Sequence, residues 1–182
     1  VEGKWTGLAE YTFEIAKTVW INEVIAHSHE TTPDWIELYN PTGDAINIGG
    51  WFLSDDKDNL TKYEIAAGTT IPANDYIVFY ENLHFAFGLS ENGETVYLSS
   101  DQGGVVTVVD SQKFGASETD ISLGRYIKST GGKDFVALNS KTPGSANASP
   151  VVGPIVISKF VYNPESLDQD EEYIELHNIG SV

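Results

Sequence analysis

Residues 19–45, VWINEVIAHSHETTPDWIELYNPTGDA, return near the end of the chain as residues 155–182, IVISKFVYNPESLDQDEEYIELHNIGSV. Ile21 recurs as Ile157, an offset of 136, and Trp35-Ile36-Glu37-Leu38-Tyr39-Asn40 recurs as Tyr173-Ile174-Glu175-Leu176-His177-Asn178, an offset of 138. The two copies therefore differ by a small insertion in the loop between the matched segments. A period this long implies tandem whole domains, because solenoid and propeller units repeat at roughly 20 to 50 residues. Within the shared segment, the period of two places Ile36 and Leu38 on one face of a strand and Trp35, Glu37 and Tyr39 on the other. The aliphatic face is expected to meet the core.

Outside this segment, short runs of β-branched and aromatic residues alternate with turn clusters at intervals of about 8 to 12 residues, the pattern of an all-β sandwich or barrel. Expected strands are 19–26, 34–40, 44–54, 62–66, 75–81, 94–100, 105–111, 121–127 and 134–138. Asn92-Gly93 suits the positive φ angles of a type I′ hairpin, and Gln102-Gly103-Gly104 should turn a second hairpin with Asp101 bonding the turn backbone. Trp51 is expected to plug the core, with Gly49-Gly50 allowing a bulge or a close backbone approach. Residues 1–18 read as the tail end of a preceding β domain, 19–148 as one sandwich domain, 149–154 as a linker and 155–182 as the start of a second domain. The chain begins with Val1, contains no Met and ends inside a repeat, so it reads as a piece of something larger.

Composition narrows the chemistry. Zero Cys removes disulfides, zinc–thiolate sites and thiol nucleophiles. The formal charge of −17, from 27 acidic against 10 basic residues, repels phosphate backbones, and the bases form no stripe, so no nucleic-acid partner is expected. No apolar run reaches the 18 or so residues of a spanning helix, so no membrane insertion is expected within these residues.

The spaced elements INEVIAHSHETTPDWIELYNPTGDAINIGGWFLSDD, IAAGTTIPANDYIVFY, VYLSSDQGGVVTVVDS, ISLGRY and KTPGSAN together resemble the lamin tail domain family, in its bacterial form. One complete copy spans about 19–148, and the start of a second spans 155–182. The resemblance implies an immunoglobulin-like β-sandwich of short antiparallel strands. It also implies a module of secreted or surface multidomain proteins, with no catalytic residues to carry over. Heptad rod, basic import run and prenylation box are all missing from this stretch, so the secreted or cell-surface branch fits better than a nuclear lamin.

No nucleophile elbow, His-Glu-x-x-His or phosphate-cradling loop is present. Four readings of individual residues remain. Glu37, repeated as Glu175, is expected to accept hydrogen bonds from a neighbouring turn or to pair with a base such as Arg125, because a carboxylate at a buried edge must be satisfied; with Asn40, Trp51 and Arg125 it forms a structural framework. Trp35 and Tyr39, opposite the core face, are candidate binding residues for a protein or carbohydrate. His27 and His29 would offer a metal two rings if the strand reached them. Asp55, Asp56 and Asp58 in SDDKDN, like the acidic run 168–172, cluster hard oxygen donors as calcium loops do, although no cofactor is required. The expected role is a non-catalytic structural or protein-interaction module. The alternative is a carbohydrate- or calcium-binding accessory to a hydrolase elsewhere in the parent chain. The strands of residues 155–182 are expected to pair with a neighbouring chain or sheet, since exposed strand edges and apolar faces are unfavourable.

Overall fold

The computed structural model describes residues 19–166 and 168–180; the expected end of a preceding domain at 1–18 lies outside them. Two antiparallel sheets enclose the core. The first has the order β11–β10–β1–β2–β7, built from β1 (Trp20–Ile25), β2 (Trp35–Tyr39), β7 (Tyr76–Tyr80), β10 (Leu123–Ile127) and β11 (Lys133–Ala137). The second runs β5–β4–β8–β9, from β4 (Phe52–Ser54), β5 (Tyr63–Glu64), β8 (Thr95–Asp101) and β9 (Val106–Lys113). A two-stranded ribbon of β3 (Ile46–Asn47) and β6 (Thr70–Ile71) lies beside them. This is an immunoglobulin-like β-sandwich, its two inner faces supplying a shared apolar layer.

Alternation positions the core. Ile21, Val24, Ile36 and Leu38 on β1 and β2 are fully buried, and they cluster with Leu53, Phe79, Val96, Leu98 and Leu123 from both sheets. β1 carries a bulge at Asn22: Ile21 faces Leu38, whereas Glu23 faces Glu37. The extra residue keeps Ile21 and Val24 on the inner face and sends Glu23 outward beside Glu37.

The expected 44–54 strand is two strands in different sheets. Gly50 breaks it at φ +81°, and a Cβ on Gly49 would sit 2.5 Å from the backbone nitrogen of Gly68, so the chain needs glycine to pass that close. Trp51 is only half-buried, packed against the rim of the core rather than plugging it. β8 and β9 are joined as expected: Gln102 N–H donates to Val105 O, both glycines have positive φ, and Asp101 Oδ1 accepts from Gly104 N. Asn92-Gly93 is not a hairpin turn. Only Gly93 has positive φ, its N–H reaches Ser90 O, and the flanking strands β7 and β8 lie in different sheets.

β12 (Ile155–Val161) and β13 (Tyr173–Asn178) pair with each other as a separate antiparallel hairpin. Their register repeats that of β1 and β2, bulge included: Ile157 faces Leu176, and Lys159 faces Glu175. The connecting loop runs from 162 to 172, against 26 to 34 in the first copy, which accounts for the change of offset. In the chain itself the pairing partner of each of these strands is thus the other, and no further strand joins them among the described residues.

Candidate functional site

The outer face of the five-stranded sheet gathers the polar and aromatic residues that alternation directs away from the core. At its centre the bulge brings Glu23 and Glu37 into opposition across β1 and β2. Both are fully buried, because the segment that follows β11 crosses over them. Thr142 donates its N–H to Glu23 Oε1 (3.1 Å) and its hydroxyl to Glu23 Oε2 (2.6 Å). Gly144 N–H donates to Glu37 Oε2 (2.6 Å), and Asn22 Nδ2 donates to Glu37 Oε1 (2.7 Å). All four carboxylate oxygens therefore accept from the protein itself. Burial raises the Glu37 pKa from 4.5 to about 7; the bonds from Asn22 and Gly144 pull it down, and the neighbouring Glu23 charge adds to the rise.

Asn147 completes this strap. Its Oδ1 accepts from Asn22 Nδ2 (2.7 Å), and its Nδ2 reaches Asn22 O (3.2 Å) and Arg125 O (2.9 Å). Gly124 lies directly beneath: a Cβ there would meet Leu138 Cδ1 at 2.5 Å and Asn147 Nδ2 at 2.8 Å. The strap can lie flat only because that position has no side chain.

The sequence-derived candidates divide around this strap. Trp35 faces outward in register but is buried, in a recess shared with Ile25, Tyr80, Lys141 and Pro143. Tyr39 is half-buried and forms an aromatic strip: its ring stacks on Tyr76 (4.6 Å, 25°) and meets Trp20 edge-on (6.0 Å), while Lys133 Nζ lies 3.6 Å from the Trp20 ring centroid. Glu37 receives its bond from the Gly144 turn, and Arg125 does not reach it. Arg125 instead points between the sheets, donating to Ile21 O (3.0 Å) and to Asp110 Oδ2 (2.7 Å), which also accepts from Ile21 N (2.8 Å). Burial raises the Asp110 pKa, and the Arg125 charge offsets part of that rise. Asn40 is fully buried: its amide nitrogen faces the carbonyls of Asp44, Ile71 and Pro72, and its oxygen accepts from Thr42 N and Oγ1.

The metal candidates are dispersed. Asp55 lies 2.6 Å from Lys62 Nζ, Asp56 Oδ1 accepts from Asp58 N (2.9 Å), and Asp58 holds Lys57 Nζ (2.9 Å). A calcium ion at this loop would have to displace both lysines. In the other acidic run, Asp168 caps a turn of 3-10 helix (Gln169–Glu171) through Asp170 N, and Glu171 accepts from Ser166. His27 and His29 sit in the loop beyond β1. The His27 ring contacts Ser117 O (3.1 Å), Thr119 Oγ1 (3.0 Å) and Glu91 (3.2 Å), whereas His29 meets Thr31. They line an open groove of about 860 Å³ with Glu30, Asp34, Glu81 and Glu91. Among the described residues, no three His, Cys, Asp or Glu side chains are grouped to hold a metal ion.

Sequence reasoning overlooked Asn22, Glu23, Gly124 and the partners in the strap. The available signal was the element KTPGSAN, whose Thr, Gly and Asn supply the donors and acceptors on the outer face.

The arrangement defines an immunoglobulin-like module whose most buried ionisable groups serve its own chain. The lamin tail domain model matches residues 15–113, more than half of the chain, and the chain belongs to the lamin tail domain family. No curated protein matches it. The matched stretch contains Asn22, Glu23 and Glu37; the strap, β10 and β11 lie beyond it.

Proposed function

We propose that this chain is a non-catalytic structural or protein-interaction module of a multidomain protein secreted by, or displayed on, a bacterial cell. The observation that carries this reading is the commitment of all four oxygens of Glu23 and Glu37 to backbone and side-chain donors of the same chain. A general acid or base must reach the reacting group of a substrate, and these two carboxylates face donors of their own chain instead. Turnover of a panel of glycoside and ester substrates should not exceed that of buffer. Hydrolysis by the parent chain that disappears in Glu37→Gln would overturn the non-catalytic reading. The location is tested by protease accessibility of the native protein on intact bacterial cells, where intracellular protection would count against a surface role.

A second reading, a carbohydrate-binding accessory module, is favoured by the Trp20–Tyr39–Tyr76 strip, whose rings are partly accessible and flanked by Lys133. Aromatic faces of this kind present apolar area together with a polar rim. Retardation of the chain in gels containing soluble polysaccharide, lost in Tyr39→Ala and Tyr76→Ala, would support it over a purely structural role.

A further inference from the structure

We propose that the free edge of β9, above the inner face of β11, is a slot for one extended, basic segment of a partner protein, which joins the four-stranded sheet as a fifth strand. The occupant deepens the protein-interaction half of the reading above. The slot itself rests on different residues, so its failure would leave the non-catalytic reading standing.

The two facing sheets are unequal in width. At one end Tyr63 of β5 packs edge-on against Phe79 of β7 (6.0 Å), and toward the other Arg125 of β10 donates to Asp110 of β9 (2.7 Å). Five strands thus face four, and among the described residues no strand lies across from β11. The consequence shows in the side chains. Phe135 of β11 packs against the core cluster yet stays half-buried, and Ile127, in the inward register of Leu123 on β10, is 55% exposed. A strand placed beside β9 would extend the second layer over both.

β9 offers the backbone that such a strand needs. Gln102 N–H donates to Val105 O and Phe114 N–H to Glu94 O, so Val105 and Phe114 turn their main-chain groups toward β8. By alternation from each end to the bulge at Val109, those of Val106, Val108, Ser111 and Lys113 turn away from it. Edge strands are commonly guarded by Lys or Pro, and Gln102 to Val109 contains neither. The width of the step selects the occupant. Another sandwich joining edge to edge would bring its own first sheet beneath the added strand, where β11 already lies, whereas a single extended segment avoids that collision. Its alternate side chains must be apolar to cover Ile127 and Phe135. Charge complementarity sets the rest: the chain carries −17, so basic residues are favoured, at the end that meets Asp101 and away from Lys113. In antiparallel pairing that is the carboxy-terminal end of the segment.

The probe is a capped peptide that alternates Val with Thr and ends in Lys-Lys, added to the full chain. At saturation the amides of Val106 and Val108 should exchange at least about 10-fold more slowly. Val106 and Val108 carry their side chains on the face opposite Leu98, and residues paired across strands share a face. With its Val side chains turned inward, the peptide therefore meets β9 through the amides of its Thr residues. N-methylation at Thr should abolish binding, and N-methylation at Val should not. Val108→Pro removes an outward N–H that β8 does not use, and Ile127→Asp alters an exposed position; each should weaken binding at least about 10-fold without moving the unfolding midpoint. Equal binding of the two methylated peptides, or no binding by about 1 mM, would overturn the proposal. So would slow exchange of Val106 and Val108 without peptide: dependence on protein concentration would assign the slot to a second copy, and release on deleting residues 1–18 would assign it to the chain's own start.

Discussion

Glu37 shows how a single residue can be visible in a sequence while its role is not. Its repetition as Glu175 and its outward register follow from the alternation in WIELYN, but its bond to Gly144 spans 107 residues and depends on a strap whose path no local pattern encodes. The same holds for Gly124, a glycine in a strand whose purpose appears only when Leu138 and Asn147 lie over it. Because the folded chain holds the Glu37 proton up to about pH 7, against 4.5 as the ordinary value, the native state binds that proton more tightly than the unfolded chain. The stability it contributes is complete below about pH 4.5 and is lost as the pH rises to about 7, a change of about 3 kcal/mol at most. Denaturant titrations from pH 4.5 to 7.5 should show that decline in the parent and a flattened profile in Glu37→Gln; parallel profiles would show that Glu37 does not titrate in this range. Gly124→Ala should cost about 1 to 3 kcal/mol through overpacking, read from the shift of the urea midpoint.

At the level of elements, the strands were largely legible because burial on one face writes a period of two into the sequence. Readings at 34–40, 75–81 and 94–100 fall within a residue or so of β2, β7 and β8. The exceptions have physical causes. Residues 44–54 carry apolar side chains on both sides of Gly49-Gly50, from Ile46 and Ile48 to Trp51, Phe52 and Leu53, yet the two glycines let the backbone of residues 66–68 approach and the chain change sheets; β6, two residues long, is too short to establish any period. Trp35 reads as exposed from register, and is buried because an irregular strap covers that side of the sheet. Besides the bonds of Thr142 and Gly144 to the two glutamates, that strap meets Asn22 through Asn147, which makes one bond to the Asn22 side chain and faces two carbonyls. Asn147→Ala should therefore cost about 2 to 3 kcal/mol. A double-mutant cycle with Asn22→Ala should return a coupling of about 1 kcal/mol, and additivity would show that the two residues act independently. Between the sheets, Arg125→Leu leaves Asp110 without its cation, and the loss should reach about 3 to 5 kcal/mol because a half-buried carboxylate then lacks its charge partner.

For the whole molecule, the sandwich and the terminal hairpin are unequal in the means available to hold them together. The sandwich joins two sheets through a continuous apolar cluster, and its boundary is sealed where Leu138 bridges Pro150 and Val151 N–H donates to Ala137 O. Beyond Pro154 the chain makes β12 and β13, whose inward-patterned side chains stay exposed and whose strands pair with no strand of the sandwich. An isolated two-stranded hairpin is marginal in water, so the two parts should not unfold as one. Shortening the chain to end at Pro154 keeps the Leu138–Pro150 and Val151–Ala137 ties. It should therefore change the stability of the sandwich by less than about 0.5 kcal/mol, the range of substitutions remote from any packed feature. In the full chain, amides of β12 and β13 should exchange orders of magnitude faster than those of β1 and β2 despite the matching register, because protection follows burial and neighbouring strands rather than the hairpin's own hydrogen bonds. A drop of more than about 1 kcal/mol on shortening, or equal exchange in the two hairpins, would show that the hairpin is folded into the sandwich's cooperative unit.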